Sequence, residues 1–167
     1  MAPHLQTDTH GLQAIQQLAL DTFEREALGI ARQFLKAHAH PETQAWHHGF
    51  LMAVECWGEP VGLAAAHGIS KYVNAVLRFR SNGLSFQDPL DAHAGDYATE
   101  DEALMISVLH YMRRDKTHHA REAVAALTLG QMDPDIIRAG LSFAGRFSAG
   151  APMQRAPNAR PELRVVV

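Results

Sequence analysis

Thr99–Met112 reads TEDEALMISVLHYM, and this stretch decides the fold class. Thr99 followed three residues later by Glu102 has the form of a capping box, in which each side chain accepts the other residue's backbone N–H. Glu100, Asp101 and Glu102 also put negative charge in a first helical turn, where the helix dipole favours it. Beyond the cap, Ala103, Leu104, Met105, Ile106, Val108, Leu109, Tyr111 and Met112 leave almost no polar face. A helix apolar nearly all round is expected to be the most enclosed in its domain, and it needs other elements packed about it.

Working outward, the remaining pattern is helical almost throughout. Leu12, Ile15, Ala19, Phe23, Ala27, Ile30 and Phe34 recur at three-to-four spacing and predict a first helix over residues 11–38, with Gln16, Gln17, Glu24, Arg25 and Arg32 on its polar side. Pro41 interrupts the chain. A second helix over 42–57 stacks Trp46, Phe50, Ala53 and Trp57, and Gly58 followed by Pro60 separates it from a third over 60–80. Small residues from Gly62 to Gly68 open that third helix and permit close approach by a neighbour. A long acidic loop, 81–98, leads into the Thr99 helix, 100–113; loops of this length in compact domains tend to be functional or mobile. A shorter helix over 117–129 should turn Ala120, Ala123, Val124 and Leu127 inward. Asp133 before Pro134 starts a last helix over 134–147, with Ile137, Leu141 and Ala144 on one inward stripe and Ile136, Phe143 and Phe147 beside it. No segment reads convincingly as a strand.

The expectation is an all-α protein: a single-domain bundle of about six helices over residues 1–148, followed by an extended Pro- and Arg-containing tail over 149–167. The last three helices also have the makings of a small subdomain across the acidic loop from the first three. A chain of 167 residues suits one core, and 47% hydrophobic with 20% charged residues is a soluble globular composition. The net charge of -3 supplies no general attraction to nucleic acid or anionic lipid, so neither is expected as a partner. "MAPHLQTDTHGLQ" lacks the basic and apolar regions of a signal peptide, no run approaches a membrane span, and Cys56 has no second cysteine to pair with. A reducing cytoplasm is the expected compartment.

The histidines are the chief chemical candidates, 11 in all. Ala37–Phe50, AHAHPETQAWHHGF, gathers His38, His40, His47 and His48, but metal binding on a helix needs ligands at i, i+3 or i, i+4, and none of these histidines pairs so with another. His47, with Leu51 and Val54, is expected to border the core. His48 and Glu55 share a face two turns apart, and His118 stands four residues before Glu122. His110 lies on the least apolar line of the central helix, where helical bundles hold haem ligands or general bases. His48, Glu55, His110 and His118 are accordingly the candidates for a transition metal or haem. Against that, no inward carboxylate accompanies His110 in the local pattern, the Glu-x-x-His signature of di-iron bundles is absent, and the acidic loop fails EF-hand spacing. Nucleotide-binding, Walker and nucleophile-elbow motifs are also absent from the sequence.

Without an assembled catalytic constellation, the favoured reading is a non-catalytic helical interaction protein needing no cofactor, either a homodimer or an accessory or regulatory subunit, whose protein partner is foremost itself. Its apolar helix faces would carry the contact. Trp46, Trp57 and the Gly62–Gly68 stretch are the candidates in the body. Leu163, Val165, Val166 and Val167 form a short apolar end in the tail, suited to a groove or to strand addition. The alternative is a metal- or haem-binding helical protein, with or without enzymatic activity.

Overall fold

Asp21, not Gly11, starts the first α-helix. In the computed structural model, which describes residues 11–91 and 94–151, Gln13–Ala14 is a two-residue strand (β1) and Ile15–Leu18 is a 3-10 turn. Ala19 then takes a left-handed conformation, φ 51°, which stops any helix running through it. Asp21 Oδ1 accepts the Glu24 N–H at 2.8 Å and Glu24 Oε2 accepts the Asp21 N–H at 3.0 Å. This second capping box opens α1, Thr22–Ala39. The helical spacing from Leu12 to Phe23 is therefore that of a 3-10 turn and a bend placed end to end, not of one helix.

Five more α-helices follow among the described residues: α2 Ala45–Trp57, α3 Glu59–Phe79, α4 Glu100–Arg113, α5 Thr117–Leu127 and α6 Pro134–Arg146. The protein is all-α, apart from the pairing of β1 with Tyr97–Ala98 (β2), where Gln13 opposes Ala98 and Ala14 opposes Tyr97. Pro41–Thr43 form a 3-10 turn, and left-handed Gln44 delays the start of α2. The α4 box is present as expected, with the Glu102 N–H on Thr99 Oγ1 at 3.1 Å and the Thr99 N–H on Glu102 Oε2 at 2.9 Å. Asp133 caps α6 through the Asp135 and Ile136 N–H groups.

α1, α2 and α3 pack on one another, α4 packs on α1, α5 and α6, and α6 returns to α3. One continuous apolar core results, reaching from Phe23, Leu28 and Ile30 through Ile69 and Tyr72 to Val108, Leu127 and Ile136. The two halves thus share a core rather than forming separate bodies. Tyr72 crosses it, donating its hydroxyl to the Met105 carbonyl at 2.9 Å. The small residues of α3 serve this packing: a Cβ on Gly62 would lie 2.6 Å from the Ala53 carbonyl carbon of α2. Gly62, Ala65 and Ala66 are buried, so the inward side of that stretch is an internal contact, while Leu63 stays exposed. No helix among the described residues is long and apolar enough to cross a membrane.

Candidate functional site

The least expected feature is a charged seam inside the bundle, between α1 and α4. Glu24 and Arg32, read from the sequence as polar-face residues, are 1% and 3% exposed; Glu102 and Arg113 on α4 are 0% and 6% exposed. Charge at such depth is tolerated only when paired and hydrogen-bonded. At one end, Glu24 Oε1 accepts Arg113 Nη1 at 2.6 Å and also Arg114 Nη1, while Glu24 Oε2 lies 3.0 Å from His110 Nδ1. Asp21 Oδ2 takes further bonds from Arg113 at 2.9 Å and Arg114 at 3.1 Å. Arg113 also stacks on the Phe23 ring, 4.5 Å from its centroid, and donates Nε to the Phe147 carbonyl at 2.6 Å.

Burial alone would raise the Glu24 pKa, but the bonds from Arg114, His110 and the Asp21 N–H outweigh it and hold the carboxyl below its ordinary value. Asp21 follows the same pattern: desolvation opposes ionisation, and the Glu24 N–H, Arg113 and Arg114 overcome it. Both groups are carboxylates at neutral pH with their lone pairs committed. A general base needs a pKa near the working pH and a free lone pair facing substrate. Glu24 has neither, and it holds the His110 ring through Nδ1. Its inward carboxylate, missing from the local sequence pattern, is Glu24, 86 positions away in the chain.

At the other end, Arg32 grips Glu102 through Nε at 2.7 Å and Nη2 at 3.0 Å, and donates to the carbonyls of Tyr97 at 2.6 Å and Ala94. Glu102 also accepts the Gln87 N–H at 3.0 Å. Asp101 takes Arg80 at 2.8 Å and the Ser85 N–H at 2.8 Å, and Lys36 reaches Asp88 at 2.7 Å. The acidic loop, expected to be functional or mobile, is laced to α1, α3 and α4 along much of its length. Among the described residues, no buried side-chain nitrogen or oxygen lacks a partner, which makes the seam a structural element.

The metal candidates do not come together. His48 and Glu55 are exposed on α2, and His118 is exposed on α5, with Nε2 3.3 Å from Glu122 Oε1. His110 is turned into the seam instead. Among the described residues, no three His, Cys, Asp or Glu side chains converge as metal ligands would. His47 and Leu51, expected to border the core, face solvent.

The interaction candidates are also redistributed. Trp46 is 51% exposed, but Trp57 is 4% exposed, donates Nε1 to Glu26 at 2.7 Å and packs on Phe23. It is a core residue and not a surface anchor. Leu163, Val165, Val166 and Val167 lie outside the described residues.

A further apolar surface lies between α5 and α6. α5 and α6 both pack on α4 without packing along each other, and this leaves a groove of about 130 Å³ between them. Met112 of α4, Ala120 and Val124 of α5, and Met132, Ile137 and Leu141 beside and along α6 line it. Leu141, expected on one stripe with Ile137 and Ala144, is 55% exposed, whereas Ala144 is buried along with Ile136, Gly140, Phe143 and Phe147. In the α5–α6 turn, Leu129 is 79% exposed and in the left-handed region at φ 52°. Gly130 N–H closes that turn on the Ala125 carbonyl at 2.7 Å, the long-range bond of a Schellman-type helix end. No protein-family model, curated protein or solved structure matches this chain.

Proposed function

We propose that this chain is a non-catalytic helical interaction protein, a homodimer or an accessory subunit, that works through the apolar α5–α6 face. One observation carries this reading. Met132 and Leu141 are exposed, at 41% and 55%, along an open apolar groove between α5 and α6, while no buried side-chain nitrogen or oxygen among the described residues lacks a partner. Exposed apolar surface rimmed by charge is characteristic of a protein contact. Trp46, Leu51 and Leu63 are exposed as well, at 51%, 46% and 42%. Light scattering on the eluting full chain tests the reading in its homodimer form. The expected mass is twice the 18.4 kDa of one chain; a clean monomer at tens of micromolar removes that form.

A further inference from the structure

We propose that the end of α1 and the last turns of α3 form a binding site for a small organic phosphate, whose dianionic group is held by Lys71, Arg78, Asn74 and His38. The site shares no lining residue with the α5–α6 groove, and it does not depend on a contact there.

These four side chains, with Leu77, line one open cavity of about 470 Å³, within the size range of small-molecule sites. Lys71, Asn74 and Arg78 follow one another at i, i+3 and i+7, which sets them on one line of α3 over roughly 10 Å of helix. All three are exposed, as is His38, and Leu77 is half-buried. The exposed line runs back through His67 to Leu63 without an acid. Glu59, in the first turn, is the only acidic residue of α3.

The cations two positions away in the chain are taken: Lys36 by Asp88 at 2.7 Å and Arg80 by Asp101 at 2.8 Å, while His40 faces Glu42 at 3.4 Å. Lys71 and Arg78, by contrast, have no ion pair among the described residues, and no described acid lines their cavity. Arg78, in the last turn, complements the α3 dipole. That field fades within a turn, so it does not account for Lys71, about two turns from the helix end. Two permanent positive charges facing one cavity repel each other until an anion enters. A phosphate monoester, close to doubly charged at neutral pH, balances both, whereas a carboxylate balances one. The guanidinium fork, the ammonium, the Asn74 amide and an imidazole N–H supply donors for its terminal oxygens, and Leu77 offers apolar contact to the organic part. Two cations on a chain of net charge -3 are too few to track a nucleic-acid backbone or an anionic membrane, which points to a small ligand.

Isothermal titration calorimetry of the full chain provides the test, with phenyl phosphate as the probe and benzoate as its singly charged counterpart. Phenyl phosphate is expected to bind saturably and about tenfold more tightly than benzoate. In the double variant Lys71→Gln/Arg78→Gln its dissociation constant should rise about tenfold or more, since charge-assisted contacts are lost. Both residues are exposed and glutamine keeps a good helix propensity, so the variant does not threaten folding. Lys116→Gln/Arg121→Gln removes the same charge from the α5–α6 groove and should leave the constant unchanged. A constant unchanged in Lys71→Gln/Arg78→Gln, or weakened equally by both double variants, overturns the site, because net charge alone would then draw the anion. Absence of saturable phenyl phosphate binding overturns it too, and benzoate bound as tightly overturns its assignment to a dianion.

Discussion

The α1–α4 seam and the α5–α6 face invert the usual distribution of side chains: charge lies at the centre and leucine in water. The seam encloses Glu24, Arg32, Glu102 and Arg113, each with several bonds. The face exposes Met132 and Leu141 along a groove, and Leu129 in the turn between α5 and α6. The contrast separates two requirements. Buried charge must be complete within the chain, because each missing partner costs a desolvated ion. Exposed apolar surface needs nothing from its own chain and gains only from association. The seam therefore fixes how helices meet, and the face is free to serve another molecule.

Breaking the seam should have the largest effect. Glu102→Ala leaves the Arg32 guanidinium buried with only carbonyls, and its expected cost is about 3–5 kcal/mol in urea unfolding; a cost below about 1 kcal/mol would mean that water reaches Arg32. Acid probes the other end without mutation. The folded pKa values of Asp21 and Glu24 lie below their ordinary values, so their contribution is complete above the unfolded pKa, about 4, and is lost as pH falls through the folded values. The urea midpoint should therefore decline below about pH 5, and Glu24→Gln should flatten that decline.

Gly62→Ala tests the ordinary packing of α3 on α2, away from both regions. The new methyl group meets Ala53 backbone rather than a movable side chain, and overpacking of this kind costs about 1–3 kcal/mol. Gly145→Ala, with open space around it, should cost nothing. The smallest effect belongs to the face and has the opposite sign. Leu129→Gly should stabilise the dissociated chain by about 1 kcal/mol, read as a higher melting temperature at high dilution. A loss of stability there would show that Leu129 already packs on its own fold.

Where the sequence carried a local signal, the fold was legible. The Thr99–Glu102 box and the Asp133–Pro134 pair mark the α4 and α6 starts to the residue, because a cap is decided by neighbours in the chain. The Asp21–Glu24 box carries the same signal, but an apolar rhythm running through it from Leu12 to Phe23 masked it. The seam was not legible, because enclosure of α1 by α2, α3 and α4 depends on elements far off in the chain, and Glu24 and Arg32 look like any polar face of an amphipathic helix. On α6, two adjacent stripes, Ile137–Leu141–Ala144 and Ile136–Gly140–Phe143–Phe147, fit the helical period equally well. The larger aromatic rings fill the space against α1 and α3, and this turned Leu141 outward and made the groove. The β1–β2 pairing covers two residues per strand, too few for an alternation to register.

The seam also sets a timetable for the emerging chain. Arg32 meets a residue 70 positions later, and Glu24 meets Arg113 89 positions later. At roughly 5–20 residues per second of synthesis, α1 waits several seconds before either partner leaves the ribosome. During that interval its buried face carries unpaired charges that oppose burial against α2 and α3 alone. The ions that lock the finished bundle thereby delay its closure, and α4, the helix whose cap first revealed the fold, is the element whose arrival ends the wait.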